Sequence, residues 1–110
     1  MNEHIFVVFT NAVDGRDEEF NEWCDHQHLG DILRVPGIDS AQRFEQLPIS
    51  LGSGQTPIPY RYLERFDFTT NPEELLQNFL AASRSWKFSD AQHPDRISAA
   101  FKALGPPRTA

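Results

Sequence analysis

The stretch YRYLERFDF, residues 60–68, alternates an aromatic-rich face with a mostly charged face. Alternation with a period of two predicts a β-strand that buries one side. The stretch HIFVVFT, residues 4–10, predicts another strand, because it is rich in β-branched and aromatic residues. Both of its faces are apolar, so we expect both sides of this strand to be covered.

Two helices and two further strands are predicted around these stretches. In chain order the remaining segments are helix 17–35, strand 38–46, loop 47–59, helix 72–85 and strand 97–104. Gly30 weakens the first helix and predicts a bend there, and Pro36-Gly37 ends this helix. Thr70 or Asn71 is expected to cap the second helix at its N-terminus.

The order β-α-β-β-α-β predicts a ferredoxin-like α+β fold, in which a four-stranded antiparallel sheet carries two helices on one face. A chain of 110 residues is expected to form one domain, spanning residues 1–110. The face of the sheet without helices is then bare. Because the first strand is apolar on both sides, we predict a homodimer in which the sheet of a second copy covers that face.

Composition excludes several classes of partner. The formal net charge of −6 and the pI near 5.0 disfavour nucleic acid, which attracts Lys-rich and Arg-rich surfaces. No apolar run approaches the roughly 18 residues that a membrane span needs, so no membrane association is predicted. Cys24 is the single cysteine and cannot form an internal disulfide. With no signal-peptide pattern at the N-terminus, the expected location is the cytoplasm.

Residues 19–44 carry the most distinctive motif in the chain. The stretch resembles the first helix and second strand of dimeric α/β-barrel proteins, particularly the EthD-like group. That group tends to show Phe-Asn-x-Trp-Tyr-Asp-x-x-His-Leu-Pro-Asp, then Pro-Gly, then a strand with Ser-Ala-x-Arg. The matching residues are Phe20, Asn21, Trp23, Asp25, His28, Asp31, Pro36, Gly37, Ser40, Ala41 and Arg43.

The same resemblance extends to the C-terminus and has two departures near the motif. Gly105-Pro106-Pro107 is similar to the closing Gly-Pro-Arg of the group. Cys24 stands where the group commonly has Tyr, and Gly30 stands where it commonly has Pro. The superfamily includes cofactor-free monooxygenases, cyclases, dehydratases, lyases and haem-binding enzymes, so the resemblance implies a fold and a small-molecule site without selecting one reaction.

Asp25 and His28 are the first candidates for catalysis. Residues three apart lie on neighbouring turns of one helix face, so these two side chains are expected to meet. Histidine gains and loses protons near neutral pH, and a carboxylate beside it can fix its tautomer, as a general acid or base requires. A surface ion pair is the structural alternative. His93, in the irregular segment before the last strand, is the second candidate acid or base.

The cavity beside His28 is expected to bind the substrate. Its predicted lining residues are Trp23, Cys24, Ile32, Arg43, Tyr60, Tyr62, Phe66 and Trp86. The chain has no metal-ligand or nucleotide-binding motif, so no metal and no cofactor is predicted.

The predicted function is therefore a cofactor-independent lyase, dehydratase or cyclase acting on a small hydrophobic, aromatic or polyketide-like molecule. The alternatives are a cofactor-free monooxygenase and a non-catalytic small-molecule binding or accessory protein. His28 transfers the proton in the two catalytic versions, with Asp25 orienting its ring.

Overall fold

The computed structural model describes residues 3–49, 52 and 57–110. Its strands are β1 (His4–Thr10), β2 (Ile38–Glu45), β3 (Tyr62–Phe68) and β4 (Ile97–Lys102). Its helices are α1 (Asp17–Trp23), α2 (Leu29–Leu33) and α3 (Pro72–Ser83), and a π-helical segment (Cys24–His28) joins α1 to α2. Residues 50, 51 and 53–56 of the predicted loop 47–59 lie outside the described residues.

The strands form one antiparallel sheet in the order β2-β3-β1-β4. The strand β1 pairs with β3 on one side and with β4 on the other, and β2 completes the sheet beyond β3. The register aligns Glu64 of β3 with Val8 of β1 and with Arg43 of β2. These three side chains therefore share one face of the sheet.

That face packs against the helices. Its buried side chains along β3 are Tyr62, Glu64, Phe66 and Phe68. Tyr62 packs with Phe20 of α1, and Phe66 contacts Phe79 of α3. The helices α1 and α3 thus lie on the same side of the sheet. The predicted ferredoxin-like fold is confirmed.

The core of the described chain has two apolar clusters at the two ends of this covered face. One includes Phe20, Cys24 and Tyr62, and the other includes Phe68 and Leu75. Because Tyr62 begins β3 and Phe68 ends it, Glu64 lies between the two clusters along the strand. A charged side chain therefore occupies the middle of the protein's apolar face.

The turn from α2 into β2 requires glycine at position 37. Gly37 has a φ of 101°, a conformation that side chains other than glycine adopt only with strain. A Cβ atom built on Gly37 would lie 2.5 Å from Cγ2 of Thr70, which packs against this turn. The Pro36-Gly37 pair thus ends the first helical region, as the sequence predicts.

The helix α3 begins at a cap formed by Asn71, one of the two predicted capping residues. The Asn71 side chain accepts hydrogen bonds from the backbone N–H groups of Glu73 and Glu74. The helix that follows is 12 residues long. Within residues 3–49, 52 and 57–110, no helix is long and apolar enough to span a membrane.

The opposite side of the sheet, here called the open face, carries no helix. The strand registers place Val7 of β1, Leu63 of β3, Phe44 of β2 and Phe101 of β4 on it. Phe44 is 39% exposed and Phe101 is 54% exposed. The open face therefore exposes apolar side chains at its edges, and it also carries the polar side chains of Gln42, Arg65 and Asp67.

Candidate functional site

The site centres on a hydrogen bond between the helical layer and the sheet. His28, the last residue of the π-helical segment, places Nε2 at 2.9 Å from Oε2 of Glu64 on β3. The side chain of His28 is 13% exposed and that of Glu64 is 2% exposed. An imidazole and a carboxylate therefore meet almost out of contact with water, where their hydrogen bond is stronger than at the surface.

The partner of His28 is Glu64 and not Asp25, which corrects the pair predicted from the sequence. The carboxylate of Asp25 is 57% exposed and accepts a hydrogen bond from Arg43 at 3.2 Å. The predicted pairing assumes regular α-helical spacing, in which residues three apart face each other. The segment from Cys24 to His28 is π-helical, so that spacing does not apply.

Sequence reasoning missed Glu64, although the chain carries a signal for it. Glu64 occupies the aromatic register of its strand, between Tyr62 and Phe66. A carboxylate in a row of buried apolar side chains needs a partner, because burying an unpaired charge is costly. The second carboxylate oxygen, Oε1, is buried and has no hydrogen-bond partner among the described residues.

The π-helical segment also brings Trp23 against His28. The backbone N–H of Leu29 donates to the carbonyl of Cys24, five residues back. In a regular α-helix, side chains five residues apart point about 140° away from each other. Here the ring centroids of Trp23 and His28 are 4.5 Å apart with an interplanar angle of 18°. The wider turn thus places the two rings in a stack.

A second tryptophan lies beside the imidazole, in an edge contact and not in a stack. Trp86, in the segment between α3 and β4, meets the His28 ring edge-on at 6.4 Å, with an interplanar angle of 88°. The Trp23 indole N–H donates to the backbone oxygen of Lys87 at 2.9 Å, which fastens this segment to the helix. Both tryptophans predicted to line the site therefore lie beside His28.

An apolar groove of about 350 Å³ runs between α3 and the sheet. Its walls include Phe6 of β1, Leu76 and Phe79 of α3, and Ala100 of β4. None of the described residues that line it is charged. Phe79 also packs edge-on against Trp86 at 5.5 Å, and Trp86 in turn meets His28, so His28 does not line the groove but lies behind these two rings.

Arg43, one of the predicted lining residues, already has hydrogen-bond partners within the chain. Its guanidinium donates to Asn21 at 2.7 Å and to Asp25 at 3.2 Å. It also lies 5.5 Å from the ring centroids of Phe20 and Tyr62. This arrangement fastens β2 to α1 through a cation enclosed by aromatic rings, so Arg43 contributes packing and charge beside Glu64.

No family model matches this sequence, and no curated protein matches it. Solved structures match over nearly the whole chain at low sequence identity. The haem degrader MhuD from Mycobacterium tuberculosis matches with a TM-score of 0.65 at 12% identity, over 96% of this chain and 99% of that one. SnoaB, a cofactor-independent oxygenase from Streptomyces nogalater, gives 0.58 at 12%, over 96% of this chain and 97% of that one. An EthD family protein from Bacillus halodurans gives 0.57 at 10%, over 92% and 99%.

The chain shares a ferredoxin-like α+β fold with these structures. The group that the motif of residues 19–44 resembles is represented among the structural neighbours by the EthD family protein. At these identities the match establishes the ferredoxin-like fold, and the residues of this chain carry every further argument.

Two of the predicted lining residues are core residues. Cys24 is fully buried in the cluster with Phe20 and Tyr62, and Ile32 is 1% exposed. Burial raises the pKa of the Cys24 thiol to about 12, so the thiol stays protonated and poorly nucleophilic. Packing, and not substrate contact, explains both side chains.

The predicted aromatic row does not lie on one face. Tyr62 and Phe66 are on the covered face, where the Tyr62 hydroxyl donates to Asp17 at 2.7 Å and Phe66 packs under α3. Burial, followed by the bond to Asp17, raises the pKa of Tyr62. Tyr60 precedes β3 and packs against Phe9 of the open face, with its hydroxyl donating to Asp95. The prediction that Tyr60 lines the cavity is therefore corrected.

His93 is exposed and lies in a turn, which corrects its placement as a cavity residue. Its Nδ1 accepts a hydrogen bond from the backbone N–H of Asp95, and its own backbone N–H donates to Asn11. Pro94 between His93 and Asp95 favours this turn. Within the described ranges, no group of three or more His, Cys, Asp or Glu side chains is arranged to hold a metal ion.

Proposed function

We propose that this chain is a cofactor-independent enzyme in which His28 transfers a proton to or from a small apolar substrate. The observation that carries the proposal is the buried hydrogen bond between His28 and Glu64. A buried imidazole held by a carboxylate is the arrangement that general acid–base catalysis requires. Glu64 takes the orienting role that the sequence assigns to Asp25.

The roles of the two ring nitrogens follow from this hydrogen bond. An ionised Glu64 accepts from Nε2–H, which leaves the lone pair of the neutral ring on Nδ1. Nδ1 has no hydrogen-bond partner among the described residues, so it is the atom that takes the substrate proton. The negative charge of Glu64 then stabilises the imidazolium that forms. Such a base contributes about 10²- to 10⁴-fold to a rate.

The groove between α3 and the sheet suits the apolar body of the substrate. Its volume of about 350 Å³ is within the range of small-molecule sites. With Phe6, Phe79 and Ala100 along it, the groove favours a flat, uncharged molecule over a charged one. An aromatic or polyketide-like molecule with an acidic C–H meets both conditions.

Oxygenation is the reaction that we favour for the deprotonated substrate. SnoaB shares this fold and is a cofactor-independent oxygenase. An acidic methylene that loses its proton to His28 can react with O₂, and the methylene becomes a carbonyl while the second oxygen atom leaves as water. A lyase, dehydratase or cyclase reaction begins with the same proton transfer and remains the second candidate, because the same His28–Glu64 pair serves it.

Haem, which MhuD binds, does not fit the histidine of this site. An axial ligand must direct a ring nitrogen at the iron, whereas His28 bonds Glu64 through Nε2 and, in this proposal, keeps Nδ1 for the substrate proton. Cys24 is fully buried in a core cluster. We therefore derive no step through haem.

We also propose that the protein is a homodimer through the open face. Phe44 on β2 and Ile97 and Phe101 on β4 are exposed at the two opposite edges of that face. An exposed apolar sheet face of this kind is typical of an interface between subunits, and a two-fold axis would bury it against its own copy. The cytoplasmic location and the single-domain organisation remain predictions from the sequence.

Replacing His28 tests the proposed activity. We would incubate the protein with anthrone, a flat aromatic ketone with an acidic methylene, and follow anthraquinone formation and oxygen uptake. His28→Gln is expected to lower kcat by about 10²-fold or more. The matched control is His26→Gln, two residues away on the same segment and exposed, which should keep the wild-type rate.

The results of these assays distinguish the oxygenase, the lyase-type enzyme and the non-catalytic binding protein. Oxygen uptake equal to anthraquinone formed, and lost in His28→Gln, supports the oxygenase. Turnover of an enolisable polyketide-like probe under nitrogen, again lost in His28→Gln, supports the lyase, dehydratase or cyclase class. Binding of both probes without any turnover contradicts the enzyme proposal and favours a binding protein.

A further inference from the structure

We propose that Trp23 is a positioning residue for His28, and that its stacked indole fixes the plane in which the imidazole presents Nδ1 to the substrate. This inference rests on the proposed role of His28 as proton acceptor. It concerns a residue that sequence reasoning assigns only to the lining of the cavity.

The imidazole needs such a constraint because one hydrogen bond does not fix a ring. The torsion that turns a histidine ring about its Cβ–Cγ bond has broad minima. A bond from Nε2 to Glu64 fixes one atom and leaves the ring able to swing about it. Stacking at 4.5 Å with an angle of 18° restricts the plane of the ring itself.

The π-helical segment is the structural device that makes this stack. Its i to i−5 hydrogen bond, from Leu29 to Cys24, widens the helix by one residue where the site lies. Without this widening, Trp23 and His28 would point to different sides of the helix. π-helical turns of this kind occur frequently at functional sites. The local irregularity thus has a consequence for the geometry of the base.

Trp23 is itself held in place by a hydrogen bond. Its indole N–H donates to the carbonyl of Lys87 at 2.9 Å. The chain following Lys87 is fastened to the loop before α1, since Arg16 donates to the side chain of Asp90 at 2.7 Å. Trp86, which abuts the edge of His28, immediately precedes Lys87. The indole therefore links the ring of the base to the segment that covers it.

Two substitutions of Trp23 separate stacking from the hydrogen bond. Trp23→Phe keeps an aromatic ring against His28 and loses the indole N–H. It is expected to lower kcat by about two- to tenfold, the equivalent of one hydrogen bond. Amide hydrogen exchange in residues 84–88 should become faster in this variant. Trp23→Leu loses the stack as well and is expected to lower kcat by about 10- to 100-fold with little change in KM, because the base is misplaced.

The ¹⁵N resonances of the His28 ring give a readout that a merely structural role would not change. In the wild type we expect a single tautomer protonated at Nε2. Trp23→Phe should keep this signature, whereas Trp23→Leu should give averaged shifts of two tautomers or orientations. Trp86→Phe is the control, because it alters the edge contact and leaves the stack with Trp23 intact.

Failure of this inference is distinguishable from failure of the proposed function. If Trp23→Leu is folded and retains both the wild-type ring resonances and the wild-type kcat, Trp23 does not position His28, whatever reaction His28 performs. If His28→Gln retains full turnover, the proposed function fails. The ring resonances of Trp23→Leu still test the positioning of His28 in that case. Should Trp23→Leu not fold, Trp23→Met carries the test, because it fills more of the space of the indole and still removes the aromatic stack; wild-type ring resonances and kcat in this variant would contradict the positioning role.

Discussion

The two faces of the sheet depart from ordinary globular packing in opposite directions. The covered face buries one carboxylate, Glu64, among aromatic side chains, whereas the open face exposes Phe44 and Phe101 to solvent. A buried charge is costly without a partner, and an exposed apolar face is costly without a cover. Each departure therefore indicates a separate role, with chemistry on the covered face and association on the open one.

The largest expected difference between the two faces is in the free energy of unfolding that is lost when one phenylalanine is removed from each. Phe66→Ala, on the covered face, is expected to lower the free energy of unfolding by about 3–5 kcal/mol at any protein concentration. Phe44→Ala, on the open face, should cost about 1 kcal/mol or less in the monomer. Its cost should grow with protein concentration if the proposed dimer buries this ring. Urea denaturation at about 1 μM and about 100 μM measures both effects.

The open face is not a dimer interface if protein concentration has no influence on the unfolding curves. Equal unfolding curves for wild type at the two concentrations, together with a monomer by sedimentation at the higher one, would contradict the homodimer. The covered face would be unaffected by that result, since the cost of Phe66→Ala depends on packing within one chain.

The buried thiol of Cys24, in the core under the covered face, should make the stability of the protein depend on pH. Burial raises the pKa of this thiol from its ordinary value of 9.0 to about 12. The unfolded chain therefore ionises first, and the contribution of Cys24 to stability falls as the pH rises from 9 towards 12. By about pH 10.5 the loss amounts to about 2 kcal/mol relative to pH 8.

Cys24→Ala isolates this contribution from the other groups that titrate in alkali. Chemical denaturation from pH 8 to 10.5 should show a steeper loss of stability in the wild type than in Cys24→Ala. Parallel losses in the two proteins would show that the thiol ionises as readily in the folded state as in the unfolded one, against its placement in the core.

Asp25, the predicted partner of His28, should show the smallest effect. The Asp25 carboxylate, which forms an ion pair with Arg43, is 57% exposed. Asp25→Asn is therefore expected to change the free energy of unfolding by less than about 1 kcal/mol. It should also leave the ring resonances of His28 and the turnover unchanged. A loss of turnover comparable to that of His28→Gln would restore Asp25 to the catalytic pair.

The sequence predicts the fold well because the fold depends on local patterns. The alternation of residues 60–68 marks β3, Asn71 and Pro72 mark the start of α3, and Pro36-Gly37 marks the turn into β2. The predicted and observed bounds of β1 agree. Each of these signals is contained within a few neighbouring residues.

The site is predicted only in part because its geometry is not local. His28 is found from its motif, but its partner lies 36 residues away on a strand. The π-helical segment changes which side chains share a helix face, and no residue type in the sequence predicts such a segment. The bend predicted at Gly30 lies just after this observed irregularity. Glu64 is detectable in the sequence only as a polar residue in an aromatic row.

The ¹⁵N resonances of His28 in wild type, Glu64→Gln and Glu64→Leu test the central claim most directly. The wild type should show a ring protonated at Nε2 in its neutral form, and Glu64→Gln should keep this tautomer because its amide oxygen can still accept. Glu64→Leu should show a mixture of tautomers together with a loss of turnover. A wild-type ring protonated at Nδ1, or a ring unchanged by Glu64→Leu, would contradict the account.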